Sequence, residues 1–245
     1  MTCNIFYTSK KYKNYAEEIA KKLGSRTFNM IVDNEKPYLE VNDLGLSFFH
    51  PKARAKKKFI IDFNSRSMSW RLKRADHEKL IKKALGKSEQ PQKILDCTAG
   101  LLQDSLLFLS LGHEVTAVEQ SNILFNLLED GIKRSKENEI FSRLTLVNAN
   151  ACSFVREAKE FDVIYFDPMF PQAKKTALRS AQLEYLTKIL EHESIKNNPK
   201  EEFQLLQLMS VNKLIIKRPI NANPFGEGIN YQVKGKTIRF DIYLD

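Results

Sequence analysis

Val163-Ile164-Tyr165-Phe166 is an apolar run that ends on Asp167-Pro168-Met169-Phe170-Pro171. Four consecutive apolar or aromatic residues without polar alternation read as a strand buried on both faces, the pattern of a parallel sheet. Ligands of such sheets sit outside the carboxyl ends of the strands, so the residues that follow the run carry the chemistry. A carboxylate, a proline carbonyl and an aromatic ring at that point can hold a planar amino group. An Asp-Pro pair after a strand is otherwise an ordinary turn, and its surroundings decide between the two.

Upstream, Lys93-Ile94-Leu95-Asp96 reads as a short strand running through Cys97-Thr98-Ala99-Gly100 into a helix-like apolar stretch, Leu101 to Leu111, closed by Gly112-His113. Glu114 to Val118 is a second strand with Glu119 at its tip, 23 positions after Asp96. That is close to the ~20-residue spacing at which a strand-end acid meets a ribose hydroxyl in nucleotide-binding α/β folds. The first loop, Thr98 to Gln103, has one glycine where G-x-G-x-x-G has three, which argues against a nicotinamide-dependent oxidoreductase.

Strands and helices continue to alternate. Ser121 caps a helix to about Glu139, 144–147 is a strand, 151–159 a helix and 161–166 the motif strand. Helices follow at about 176–196 and 200–209, then a strand at 211–217 and a terminal hairpin of 229–233 with 237–243. This order predicts a mostly parallel sheet with helices on both faces. Phe203, Leu206 and Met209 at helical spacing read as core. Ahead of it, 12–23 reads as a helix closed by Gly24, 38–41 and 44–48 as a hairpin turning at Asn42-Asp43, 59–63 as a strand and 77–85 as a helix closed by Gly86. The polar stretch Lys87 to Gln92 reads as a linker, dividing a small α+β domain, 1–90, from an α/β domain, 91–245.

The net charge of +9 is unevenly placed: residues 51–87 hold 13 basic side chains against three acidic ones, which leaves the rest of the chain at −1. Phe59, Phe63 and Trp70 are interspersed. A basic, aromatic-bearing segment suits a polyanion, because each neutralised phosphate releases counterions; a solvated lysine-rich face is the plain alternative. Lys56, Lys57, Lys58, Arg71, Lys73 and Arg74 are the candidate RNA contacts, with Lys217 and Arg218 placed either on phosphate or in a structural ion pair. No apolar run approaches the ~20 residues needed to cross a bilayer, and the first residues lack a signal-peptide pattern, so a cytoplasmic location without membrane contact is expected. Cys3, Cys97 and Cys152 are odd in number and read as reduced thiols, and the four histidines have no metal or triad spacing.

Asp167-Pro168-Met169-Phe170-Pro171 resembles the Asp/Asn-Pro-Pro-Tyr/Phe motif of methyltransferases that act on exocyclic amines, with Met169 in place of the second proline. Together with Asp96-Cys97-Thr98-Ala99-Gly100-Leu101, Asp104, Glu119, Lys217-Arg218-Pro219 and Arg239-Phe240-Asp241-Ile242-Tyr243, it resembles the signatures of the small-subunit ribosomal RNA guanine-N2 methyltransferases called RsmJ, over roughly residues 59–243. The chain departs from that pattern at Leu102-Gln103, where the family commonly reads Gly then Arg, and around 74–78, where a glycine-rich basic stretch is expected.

The resemblance implies a class I, Rossmann-like methyltransferase fold with a seven-stranded sheet, S-adenosylmethionine as cofactor, and ribosomal RNA or the small ribosomal subunit as partner. It assigns cofactor contact to Gln103, Asp104, Glu119, Gln120, Asn150, Ala151 and Asp167. The strand ends add Asp96, and Gly100 supplies the turn where backbone approaches a ligand. Asp167, Pro168 and Phe170 are the candidate catalytic residues: the first two hold the amine and the third stacks on the base. Another amino-methyltransferase and a non-catalytic RNA-binding protein of the same fold are the alternatives.

Overall fold

The computed structural model describes residues 3–31, 35–65, 78–136, 138–155, 158–169, 180–196, 198–208 and 212–244. Trp70, Arg71, Lys73, Arg74, Phe170 and Met209 lie outside them. In chain order the elements are β1 (Asn4–Tyr7), α1 (Lys13–Leu23), β2 (Thr27–Phe28), β3 (Tyr38–Asn42), β4 (Gly45–Phe49), β5 (Phe59–Ile60), α2 (Lys79–Leu85), β6 (Lys93–Asp96), α3 (Gln103–Ser110), β7 (Glu114–Glu119), α4 (Asn122–Arg134), α5 (Asn138–Phe141), β8 (Leu144–Asn148), β9 (Val163–Phe166), α6 (Ala181–His192), α7 (Pro199–Gln207), β10 (Lys213–Pro219), β11 (Tyr231–Lys234) and β12 (Ile238–Leu244). They form two compact units, one from Met1–Asn64, Ser121–Lys136 and Gln172–Lys196, the other from Ser65–Gln120, Glu137–Pro171 and Asn197–Asp245.

The second unit holds a seven-stranded sheet in the order β11-β12-β10-β9-β6-β7-β8. Its four pairings from β10 to β8 are parallel, and β12 runs antiparallel to both β10 and β11. All four residues of β9 are buried, as the unbroken apolar run predicts for a central parallel strand. Leu95, Ile164, Phe166, Leu214 and Ile216 share one core with Phe203 and Leu206 of α7, three residues apart on one helical face. From β6 the sheet grows in both directions, to β7 on one side and β9 on the other. That reversal makes the carboxyl ends of β6 and β9 the switch point at which this class of sheet opens a crevice.

The first unit has a five-stranded sheet, β2-β1-β3-β4-β5, in which β1 is parallel to both neighbours and β3 and β4 form the expected hairpin. Helix α4 is tied to it by one buried carboxylate. Asp130 accepts hydrogen bonds from the amide of Leu46 (3.0 Å), the hydroxyl of Tyr15 (2.9 Å) and Nε of Arg134 (2.7 Å). Arg134 in turn donates to the carbonyl of Ile61 at 2.6 Å. Gly45 has φ of +111°, and a Cβ there would lie 2.2 Å from Arg134 Nε, so the hairpin turn admits only glycine on both counts.

Several expectations are corrected. Strands β1 and β2 give no readable period, because they are four and two residues long and are stabilised by non-local parallel pairing. The helix after Ser121 stops at Arg134 rather than near Glu139, with Ser135 extended. Where a helix is expected over 151–159, the described residues form two 3₁₀ turns, Ala151–Val155 and Ala158–Glu160. It follows an Asx turn in which Asn150 Oδ1 accepts from the amide of Cys152 at 2.9 Å. The strand expected at 59–63 is confined to Phe59–Ile60.

Candidate active site at the carboxyl ends of the parallel strands

Asp96 ends β6 and is 1% exposed. Its Oδ1 accepts from the amide of Thr98 at 3.0 Å and its Oδ2 from the hydroxyl of Ser105 at 2.5 Å. Burial pushes its carboxyl up to about 6, against the lowering effect of these two donors. With both oxygens engaged, Asp96 is the clamp that folds the first loop back onto α3. The loop turns at Gly100, φ +52°, and Leu102, φ +56°. Leu102 occupies a left-handed conformation at the start of α3 while its side chain is fully buried, so packing offsets the backbone strain that a glycine would relieve. The departure from the family pattern at this position therefore keeps the turn and adds a core contact.

At the tip of β7, Glu119 is 6% exposed and its Oε2 accepts from the amide of Gly100 at 3.2 Å. Its backbone carbonyl receives Nδ2 of Asn148 at 2.8 Å and the amide of Ala149 at 3.2 Å, tying β7 to the end of β8. Asn150 donates to Oε1 of Gln120 at 3.3 Å. Gly100, Glu119, Gln120 and Asn150 are thus brought together at one sheet edge.

The other side of the switch point carries the densest charge. Asp104, in the first turn of α3, accepts from the hydroxyl of Tyr165 and from Nζ of Lys217, each at 2.6 Å. Lys217 Nζ also lies 2.8 Å from Oδ2 of Asp167, and the amide of Asp167 donates to the hydroxyl of Thr98 at 2.8 Å. The motif acid is therefore fixed by its backbone to the first loop and by its side chain to β10. Burial pushes the Asp167 carboxyl up to about 6; the Lys217 charge opposes this and the Asp104 charge adds to it. Burial disfavours the Lys217 ammonium, but Asp167 and Asp104 outweigh it and raise its pKa above the ordinary value. Burial, then Asp104, push the Tyr165 hydroxyl well up, so it stays protonated and donates.

Lys217 and Arg218 thus have internal partners. Arg218 is 6% exposed, lies 3.6 Å over the Phe225 ring and donates to the carbonyl of Asn223. Cys97 is buried and its thiol is pushed well up by burial, in keeping with a core side chain. In the first unit Lys56, Lys57 and Lys58 are all exposed, and Lys58 also reaches Oε2 of the buried Glu40 at 2.5 Å. No group of His, Cys, Asp and Glu side chains fit to hold a metal occurs among the described residues. Nor, among them, is any helix long and apolar enough to cross a membrane.

Four carboxylates, Asp96, Asp104, Glu119 and Asp167, line this edge, with Lys217, backbone amides and the hydroxyls of Ser105 and Tyr165 among their partners. That set of acceptors fits a ligand bearing hydroxyls and positive charge, and it lies on a parallel sheet of the nucleotide-binding kind. The chain matches the SAM-dependent methyltransferase family (SAM_MT) over residues 23–245, and its class is that of S-adenosylmethionine-dependent methyltransferases. More narrowly, it belongs to the ribosomal RNA small subunit methyltransferase J family. The relative of that name from Francisella tularensis subsp. novicida (strain U112) is 32% identical over 213 residues, covering 84% of this chain and 86% of its own. The one from Francisella philomiragia subsp. philomiragia is 32% identical over 222 residues, covering 86% and 88%. The fold matches the crystal structure of the SAM-dependent methyltransferase NGO1261 from Neisseria gonorrhoeae with a TM-score of 0.70 at 24% identity, across 98% of this chain and 95% of that one.

The cofactor is S-adenosylmethionine, which supplies an electrophilic methyl group when bound. Glu119 is the acid suited to ribose hydroxyls, with the Gly100 amide already ordering its carboxylate. Both acids of the first loop already have partners, Asp96 in Thr98 and Ser105 and Asp104 in Tyr165 and Lys217.

Proposed function

We propose that the protein methylates the exocyclic N2 of a guanosine in small-subunit ribosomal RNA. The observation that carries this reading is the placement of Asp167 at the carboxyl end of β9, held by Thr98 and Lys217 beside the cofactor acids. It is supported by the name of the 32% identical relatives, ribosomal RNA small subunit methyltransferase J.

The N2 lone pair of guanine is delocalised into the ring, so the nitrogen attacks only once its hydrogens are held in a geometry that favours pyramidalisation. In this reading the Asp167 carboxylate and the Pro168 carbonyl accept those hydrogens. The proton released as the new C–N bond forms passes to Asp167, whose midpoint near about 6 leaves it ionised at neutral pH. Phe170, next in the motif, is the residue to stack on the extruded base. Cofactor contacts are assigned to Gly100, Gln103, Asp104, Glu119, Gln120, Asn150 and Ala151, with Asp96 shaping their loop. Lys56 and Lys57, exposed in the first unit, are assigned to RNA phosphate together with Arg71, Lys73 and Arg74. Action on ribosomal RNA also places the protein in the cytoplasm.

The test is methyl transfer from labelled S-adenosylmethionine to small-subunit ribosomal RNA from a strain lacking the gene, followed by nucleoside identification. Label in N2-methylguanosine is expected; label in another nucleoside, or in protein, overturns the reading.

A further inference from the structure

Lys217 is the one member of the site whose role the strand-end logic does not supply. Strands β9 and β10 are parallel neighbours with Phe166 opposite Ile216, so the next residues, Asp167 and Lys217, lie side by side just past the paired segment. Ile216 points into the core shared with α7. By alternation Lys217 faces the other side of the sheet, as do Tyr165 and Asp167. There the lysine meets Asp167 at 2.8 Å and Asp104 at 2.6 Å, and Asp104 also receives the Tyr165 hydroxyl. One ammonium thus bridges the acid assigned to the substrate amine and an acid assigned to the cofactor.

Resting on the reading of Asp167 as acceptor for the substrate amine, we propose that Lys217 is a positioning residue that holds Asp167 ionised and oriented, and does not contact RNA. Two carboxylates this close cannot both stay charged without a cation between them. A solvated lysine serves phosphate, whereas a half-buried one with two carboxylate partners is already committed. Among the described residues, the other groups that face Asp167 offer no substitute. Asp104 from α3 and Asp96 from β6 are acids, and Tyr165 from β9 is a neutral donor spent on Asp104. On β12 the residue opposite Lys217 is Phe240, while Arg239 stands opposite Arg218 on the other face, paired with Asp241 at 2.8 Å and donating to the carbonyls of Pro219 and Ile220.

The experiment compares wild type with Lys217→Met, Lys217→Gln and Lys217→Arg in two measurements. The first is the carboxyl titration of Asp167, followed by ¹³C NMR on aspartate-labelled protein and assigned with Asp167→Asn. The second is the pH profile of kcat/KM for methyl transfer. Loss of an opposite charge at this distance raises a carboxyl midpoint by ~1–3 pH units. Met and Gln should therefore move both the NMR midpoint and the acid limb upward, so that activity at pH 6 falls at least about fivefold more than at pH 8.5. Arg should restore most of the wild-type profile. Gln keeps donors to both acids without charge, and so serves if Met fails to fold. A merely structural lysine would lower the rate evenly across pH and leave both midpoints in place, and that result overturns the proposal. If wild type forms no N2-methylguanosine, the functional reading fails by itself, while the NMR titration still decides whether Lys217 governs Asp167.

Discussion

The amide of Gly100 donates to Oε2 of Glu119 across 3.2 Å, joining the loop after β6 to the tip of β7. The bond orders the acid proposed to hold the ribose hydroxyls, and it requires the left-handed turn at Gly100, where an added Cβ would meet nothing nearer than 3.7 Å. Removing the carboxylate loses both the loop clamp and the ligand acceptor. Glu119→Ala should weaken S-adenosylhomocysteine binding by roughly 1–3 kcal/mol, the cost of leaving hydroxyls unpaired in a largely dry site. Titration calorimetry measures this. Unchanged affinity in a folded variant would remove Glu119 from the cofactor site.

The raised carboxyls make stability depend on pH in a defined direction. Asp167 and Asp96 have folded midpoints near about 6, above the ordinary aspartate value. Between ~4 and those midpoints the folded protein binds protons that the unfolded chain has released, so stability falls as pH rises through this window. Asp167→Asn should flatten part of that fall. Melting temperatures recorded from pH 4.5 to 7.5 for both proteins test it, and parallel curves would show that Asp167 has an ordinary pKa.

Leu102 sets backbone strain against burial at one residue. Leu102→Ala should destabilise by about 2–5 kcal/mol, the usual range for a buried leucine. In most positions glycine is worse than alanine, but at φ +56° it relieves a cost of ~1 kcal/mol. Leu102→Gly should therefore be no less stable than Leu102→Ala. Denaturant melts of the two variants give the order, and a glycine variant weaker by more than ~1 kcal/mol would mean that the turn is unstrained.

Lys56 and Lys57 are separable from the ion-paired Lys58. Lys56→Ala with Lys57→Ala should weaken RNA binding and reduce the salt slope by about 0.7–0.9 log unit per lost phosphate contact, with cofactor binding intact. Lys58→Ala should instead lower the melting temperature, because it removes the cation paired with the buried carboxylate of Glu40 and leaves it the Asn42 amide. Filter binding at several salt concentrations separates these outcomes, and an unchanged slope in the double variant would make Lys56 and Lys57 a solvated face.

Much of this arrangement is legible in the chain because it is local. The apolar run before Asp167, the single glycine of the first loop and the acid 23 positions beyond Asp96 place the switch-point crevice without long-range information. The rest depends on pairing across long separations. Asp104 and Lys217 meet across 113 residues, and Asp130 reaches Leu46 across 84, so no spacing rule finds either. Strands β1 and β2 are too short to show a period. Lys217 falls in a motif whose basic character points equally to phosphate and to an ion pair; only the register of β9 and β10 gives it two carboxylates.

The central claim is that Asp167 takes part in methyl transfer to the guanosine amine. The most direct test is N2-methylguanosine formation by Asp167→Ala and Asp167→Asn, assayed on small-subunit ribosomal RNA, with melting temperature and S-adenosylhomocysteine affinity measured on the same preparations. Asp167→Ala should fold, retain measurable affinity for S-adenosylhomocysteine and lose about 10²–10⁴-fold in rate, as when a positioned acceptor or base is removed. Asp167→Asn should keep part of the activity to the extent that its amide oxygen replaces the hydrogen-bond acceptor. A folded Asp167→Ala protein that forms N2-methylguanosine at a near wild-type rate would contradict the account and leave the motif a structural turn.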